Sequence, residues 1–471
     1  MSLEFAWAIP DTYIGADDGP SFIVDEVTYD GSNGVVKVEG SDVKADIPVK
    51  DIIAVVPLTA DDKSFPGGYA LTYVGSNDVY TPDMEDTTRG YHYLKVLTLP
   101  EELNNLIVPS ARDKAVHHVH IIISTLSGTC QAESFYENSV QKFLASVGYR
   151  AGSSYTIHTT TSAKSVQELT ETDILHSANK GQAQRIILMS GDGGIVDIVN
   201  ALSLQPHSDC YIPPAMSILP MGTGNALAHS IGITDDRTSG LSSLARGSSK
   251  PLPIFRATFS PGARLLLDEA TREEELPVVD KVPTVYGAVV CSWGMHAGLV
   301  ADSDTKEYRK FGIDRFKMAA KEALYPSDGS PPHAYKAKIS VLPAGTSSWQ
   351  AVPREEHMYV LATMVSNLEK TFTVSPASSP LSGSLRLVHF GPTTADEAMR
   401  VMGLAYQGGK HVDEPLVNYE DIDGMRIEIE GREDEARWRR ICLDGKIIRL
   451  EKDGWVEIRK ENRTVVDVVS M

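Results

Sequence analysis

Cysteine is scarce in this chain, with four residues among 471, at positions 130, 210, 291 and 442 and no C-x-x-C pair. That spacing excludes a paired-cysteine zinc site and a small disulfide scaffold, and it points to a reducing, cytoplasmic setting. Long apolar runs are missing as well. Nowhere do about 18 consecutive apolar residues occur, so no membrane-spanning helix is expected and any membrane contact would be peripheral. Met1-Ser2-Leu3-Glu4-Phe5-Ala6-Trp7 has no basic start and no long apolar run, and Ser2 stands where myristoylation needs glycine, so neither a secretion signal nor that anchor is expected. Basic side chains are in deficit too: 44 Lys and Arg against 63 Asp and Glu leave a net charge of −19. Nucleic acids are bound by basic stripes, and none is visible. His117, His118 and His120 read as strand residues and no H-E-x-x-H occurs, so a histidine metal site is not expected.

The length allows two or three domains, each with its own core. Residues 1–110 hold 19 acidic and 6 basic side chains, so most of the negative charge is local to them. There, short β-type runs (Val35 to Val38, Asp51 to Val56, Tyr91 to Val96) are separated by Asn33-Gly34 and Pro66-Gly67-Gly68, and Leu99 to Leu106 reads as a short helix with proline at its start. From Val116 to about Ile231, strand-like and helix-like segments alternate, the pattern of a three-layer α/β domain with a parallel sheet. Thr238 to Pro253 is rich in Ser, Gly and Lys and reads as a boundary. Beyond it come mainly β-type runs, such as Thr284 to Cys291, Tyr335 to Val341 and Met358 to Val365, with loops at Pro326 to Pro332 and Ser375 to Ser384. The expected division is 1–112, β-rich; 113–250, α/β and nucleotide-binding; and 251–471, an all-β sandwich. No internal repeat or low-complexity tract is present.

Two glycine-rich turns lie about thirty residues apart, Ser190-Gly191-Asp192-Gly193-Gly194 and Gly222-Thr223-Gly224-Asn225. Each follows an apolar run (Arg185 to Met189; Met216 to Met221) and opens an amphipathic stretch (Ile195 to Leu202; Ala226 to Ile231). Glycines at a strand-to-helix turn let backbone N–H groups and the helix dipole receive an anion. Asp192 is the only carboxylate inside either turn, and a carboxylate there can accept a proton from an attacking hydroxyl.

These paired turns resemble the signatures of the diacylglycerol kinase catalytic-domain superfamily, and the sphingosine kinase branch is the most similar. Met189 to Asp192, Ile198-Val199-Asn200-Ala201-Leu202 and Gly222 to Ala228 stand in that branch's places. The resemblance runs from about Val116 to Lys446. It implies ATP and Mg²⁺ as cofactors and Asp192 as the catalytic base. For nucleotide contacts it implies Ser124, Ser127 and Gly128 of the first turn, Thr160, Gly191, Gly193, Gly194, and Gly222, Thr223, Gly224 and Asn225 of the second turn. Tyr308-Arg309 to Arg315-Phe316 resembles the segment whose two arginines grip the phosphates, which selects Arg309 and Arg315. Ser292-Trp293-Gly294 and Gly298 to Asp304 resemble the lipid-head segment. Ser292 and either Asp302 or Asp304 would then face the substrate, with Asp304 slightly preferred. Leu443-Asp444-Gly445-Lys446 resembles the closing V-D-G-E, where Asp444 would serve nucleotide and metal.

The chain departs from the pattern at several points. Ser124 and Thr125 replace Asn-Pro, Gly194 replaces a Thr of the wider superfamily, Asp197 stands in place of Glu, Ser382-Gly383 in place of Asp-Gly, and Lys446 in place of the closing Glu. In the N-terminal region, strands closed by one helix suggest a small barrel or sandwich that resembles a pleckstrin-homology domain, a kind of unit appended in some sphingosine and ceramide kinases. Its acidity speaks against phosphoinositide binding and for a structural or regulatory role. The expected function is phosphorylation of the primary hydroxyl of a sphingoid base. Ceramide or diacylglycerol phosphorylation, a NAD-kinase-like activity and a non-catalytic lipid- or nucleotide-binding pseudokinase remain alternatives. A homodimer is compatible with the sequence.

Overall fold

The computed structural model describes residues 22–40, 43–58, 67–76, 89–108, 118–312 and 314–471. The expectations on Met1 to Trp7, on Pro66 and on Val116-His117 lie outside them. Among the described residues, no helix is long and apolar enough to cross a membrane.

The centre of the chain is a six-stranded sheet in the order Ser248–Pro251, Asp467–Ser470, Ala215–Pro220, Gln184–Ser190, His118–Ile123, Thr156–Thr159. All pairings are parallel except the first, between Ser248–Pro251 and Asp467–Ser470. Gln184–Ser190 is buried along its whole length, as a central strand covered on both faces must be. Its side chains alternate between two cores. Ile186 and Leu188 pack toward the helices Ser165–Leu169 and Asp192–Ser203, whereas Ile187 and Met189 pack toward Phe143, Leu144, Leu241 and Leu244. Because neighbouring strands run the same way, the turns after Ile123, Ser190 and Pro220 all emerge at one edge.

The stretch read as a boundary contains regular structure. Thr238 to Pro253 holds the helix Leu241–Arg246 and the strand Ser248–Pro251, which pairs with the last strand of the chain. Local composition could not reveal that pairing, because the partner lies more than two hundred residues away. The last strand, Asp467–Ser470, therefore belongs to the parallel sheet, and a cut at residue 250 does not separate the two halves.

Most of residues 254–461 forms one 14-stranded antiparallel sheet. Its strands are joined in one hydrogen-bonded network that branches at Asn418–Glu428, which pairs with Lys338–Pro343, Leu385–Phe390 and Trp455–Glu461. The run Thr284 to Cys291 is two strands, Val282–Gly287 and Val290–Gly294, broken where Ala288 and Val289 turn their amides to Asp444. This second layer joins the first through one continuous apolar core that contains Ile195, Val199 and Leu227 together with Phe255, Val285 and Tyr286.

The N-terminal strands form a four-stranded sheet and a three-stranded sheet. The expected helix at Leu99 to Leu106 is a 3-10 turn, Glu101–Leu106, with Pro100 before it and no side-chain cap. Strand Ile52–Pro57 serves two cores. Ile52 and Val55 face the small N-terminal core, while Ile53, Ala54 and Val56 join Phe143, Leu144 and Leu244 of the α/β layer. A register shift between Ile52 and Ala54 allows this switch. Arg246 Nε donates to Ile53 O (2.9 Å), and Tyr91 Oη donates to Ser146 Oγ (2.6 Å). The shared core makes this unit part of the α/β fold. A chain beginning at residue 113 should expose Phe143, Leu144 and Leu244 and elute from size-exclusion chromatography as aggregate, whereas a merely appended module could be removed without that loss.

Candidate functional site

Three turns meet at the edge of the parallel sheet, and glycine is what lets them touch. A Cβ on Gly222 would lie 2.4 Å from Gly191 Cα, and one on Gly191 would lie 2.8 Å from Gly222 Cα. A Cβ on Gly128, whose φ is +55°, would lie 2.3 Å from Met221 O. The first turn is tied by side chains as well. Ser127 Oγ donates to Ser124 Oγ at 2.7 Å and lies 3.1 Å from Ser190 Oγ. Thr160 follows the adjacent strand, and its Oγ1 accepts from Thr125 N at 3.1 Å. Its hydroxyl therefore shapes the first turn.

Asp192 opens the helix Asp192–Ser203, and Gly191 is its N-cap. The Asp192 carboxylate reaches across to the second turn, where Oδ2 accepts from Ala226 N (2.7 Å) and Oδ1 from Leu227 N (3.1 Å). One side chain thus joins both glycine turns. Burial raises its pKa above the usual carboxylate value, while the Leu227 and Ala226 amides pull the other way. Asn225 adopts a left-handed conformation (φ +54°), and its amide closes the second turn: Gly222 N donates to Oδ1 (2.9 Å) and Nδ2 donates to Gly222 O (2.7 Å). Gly193 faces open space, and an added Cβ there meets nothing within 4 Å. A Cβ on Gly194 would meet Ser190 Oγ at 2.6 Å, so Gly194 seats the helix on its own strand.

Polar contacts fasten this helix to the second layer. Asn200, buried on an apolar face, donates to Tyr286 O (2.8 Å) and accepts from Tyr286 N (2.9 Å). Sequence reading had placed Asn200 in a motif without giving it a role, although a lone Asn among Ile, Val and Leu signals a buried polar partner. Lys446 Nζ donates to Asp197 Oδ1 at 2.6 Å, with both side chains largely buried.

Asp444, expected to serve nucleotide and metal, lies at the Gly287 corner. Its carboxylate accepts from Ala288 N (2.6 Å), Val289 N (3.1 Å) and Val290 N (2.5 Å), and the residue is only 6% exposed. Both oxygens are turned to backbone, so it braces that corner. Burial pushes its carboxyl up to about 7 against the pull of these amides, and the nearby Asp192 charge adds to the rise.

Ser292 is fully buried and pairs with His296 Nδ1 at 2.7 Å, which removes it from the substrate surface. Burial lowers the pKa of His296 to about 4, so the imidazole is neutral. Asp302 and Asp304 are accessible and ion-paired: Arg440 Nη1 lies 2.7 Å from Asp302 Oδ1, and Arg315 Nη1 lies 3.3 Å from Asp304 Oδ1. Asp304 closes the helix Met295–Ser303, and Arg315 sits on the helix Asp314–Leu324. Arg309 lies in the 3-10 turn Tyr308–Phe311, and its side chain is outside the described structure.

The contact of the turns can be tested by contrast. Gly222→Ala should cost about 1–3 kcal/mol, because a backbone must move, and should abolish nucleotide binding in calorimetry. Gly193→Ala, in open space on a helix, should be neutral or stabilising by up to about 1 kcal/mol.

Residues 118–257 match the family described as diacylglycerol kinase catalytic domain. Human sphingosine kinase 1 is 22% identical over 350 residues, covering 66% of this chain and 82% of that protein. The mouse protein of that name is 23% identical over 343 residues, with the same coverage. A candidate diacylglycerol kinase from Bacillus anthracis str. Sterne shares the fold with a TM-score of 0.51 at 14% identity, covering 76% of this chain and 99% of that one. Residues 118–257 are thus a catalytic domain of the diacylglycerol kinase type, within a chain that has weak, partial homology to sphingosine kinases.

Proposed function

We propose that this chain is an ATP-dependent lipid kinase, acting on the primary hydroxyl of a sphingoid base, with Asp192 as general base. The observation that carries the reading is the Asp192 carboxylate, held by two amides at the point where both glycine turns touch. As the hydroxyl oxygen attacks the γ-phosphorus, its proton passes to Asp192, the bond to the β-phosphate oxygen breaks, and ADP leaves. Charge gathers on the transferred group, and the N–H groups of the glycine turns are donors of the kind that stabilise it. Burial makes Asp192 a stronger base than an ordinary carboxylate. The domain type implies Mg²⁺ together with ATP.

The sphingoid base is favoured by the homology to sphingosine kinases and by the accessible carboxylates of Asp302 and Asp304, which suit an ammonium. An apolar crevice adjoins the site, lined in part by Leu227, Ile231, Ala288, Met364, Val365 and Leu381. Leu227 and Ala288 also give their amides to Asp192 and Asp444, so this crevice borders the site. A neutral head, as in ceramide or diacylglycerol, is the second reading. It rests on Arg440 and Arg315, which already neutralise Asp302 and Asp304.

Transfer of labelled γ-phosphate from ATP to sphingosine, ceramide and diacylglycerol should label sphingosine best. No labelling of any lipid by the wild type would refute the assignment. Asp192→Asn should lower kcat by about 100-fold or more, with a stability loss of about 1–3 kcal/mol because two amides lose their anion. The base must be ionised, and its pKa is raised. The rate should therefore fall with decreasing pH along a limb centred above the usual carboxylate range, measurable as a pH–kcat profile.

For the head group, Asp304→Asn or Asp302→Asn should raise KM for sphingosine about tenfold or more while leaving KM for ATP near wild type, since a charge-assisted hydrogen bond is worth about 1.5–3 kcal/mol. Equal effects on both substrates, or none, would favour the neutral lipids.

A further inference from the structure

Three carboxylates stand on the segments where the Asp192 helix meets the second layer, and each is compensated differently. Asp192 rests on the amides of Ala226 and Leu227, and Asp444 on those of Ala288, Val289 and Val290. Asp197 has a side-chain partner, Lys446, at 2.6 Å. Asp197 lies on the helix that Asp192 opens, and Lys446 begins the strand just after Asp444 and Gly445.

A divalent cation needs oxygen lone pairs that it can approach, and Mg²⁺ is usually held through one or two carboxylates. Here the Asp444 oxygens face backbone N–H groups. The approach to Asp197 is taken by an ammonium, which would also repel a dication. Among the described residues no group of three or more His, Cys, Asp or Glu side chains is placed to hold a metal ion. The residues present do not fit a protein-held metal.

We propose that Lys446 is a positioning residue that takes the place of a protein-held divalent cation at this junction, so that the junction offers no metal seat of its own and any divalent ion there arrives and leaves with the nucleotide. The ammonium does two jobs a metal could do. It cancels the charge of Asp197, and it ties the Asp192 helix to the second layer across 249 residues of sequence. The proposal rests on the nucleotide reading above, but its test does not require turnover.

Mn²⁺ alone is titrated into the full chain without nucleotide and followed by electron paramagnetic resonance. Wild type should show no binding that depends on Asp197. Lys446→Glu brings two carboxylates together and should gain Mn²⁺ affinity by about 10–100-fold, the scale on which changes around a metal ligand act, whereas Lys446→Arg should remain like wild type. A merely structural Lys446 would shift Tm in these variants without moving the Mn²⁺ signal. Wild-type Mn²⁺ binding that Asp197→Asn or Asp444→Asn abolishes would overturn the proposal, as would a folded Lys446→Glu protein that gains no affinity. If Lys446→Glu does not fold, wild type against the two Asn variants decides alone. Absence of kinase activity would count against the functional reading and leave this titration unaffected.

Discussion

The contact between Gly191 and Gly222 is the constraint on which the rest of the site depends. Two strand-to-helix turns can share one volume only if neither has a Cβ in the way, and here the added atom would fall within 2.8 Å of the opposite backbone in both directions. Once the turns touch, Asp192 on one can bind amides of the other. The carboxylate is then positioned by two segments more than thirty residues apart, and its orientation no longer depends on a single flexible loop. Gly128 repeats the device against Met221, which brings the first turn to the same place.

The helix that carries Asp192 is also held from behind. Ile195 and Val199 sit in a core continuous with the second layer, and Asn200 and the Asp197–Lys446 pair supply polar fastenings at the same seam. Backbone amides satisfy most of the buried anionic charge. Such donors are fixed by the fold and lose little side-chain entropy in the pairing, which suits carboxylates that must stay ordered in a partly dry site. The single ammonium in this arrangement is therefore conspicuous by position rather than by strength.

The N-terminal unit shows how charge and packing can suggest different roles. Its acidity suggests a separate module that avoids anionic partners, whereas its strand Ile52–Pro57 supplies Ile53, Ala54 and Val56 to the core beneath the parallel sheet. Helix Leu241–Arg246 lies between the two, touching Ile53 through Arg246. Gly240 just before it packs against Ile218 O on a strand that leads to the second glycine turn.

What the sequence by itself determined is what depends on near neighbours: the strand, glycine turn and helix at Gln184–Ser203 and again at Ala215–Ser230, and Asp192 as the carboxylate within them. Alternation of apolar residues and turn chemistry are local rules, and they hold wherever the segment is placed. The tertiary structure decided the partners. It paired Asp467–Ser470 with Ser248–Pro251, turned Asp444 toward three amides, buried Ser292 against His296, set Arg440 on Asp302 and placed Lys446 on Asp197. Those outcomes follow from which surfaces the long crossovers bring together. A side chain's preference for an opposite charge or a free N–H is the same for every candidate along the chain, so only the packed fold selects one.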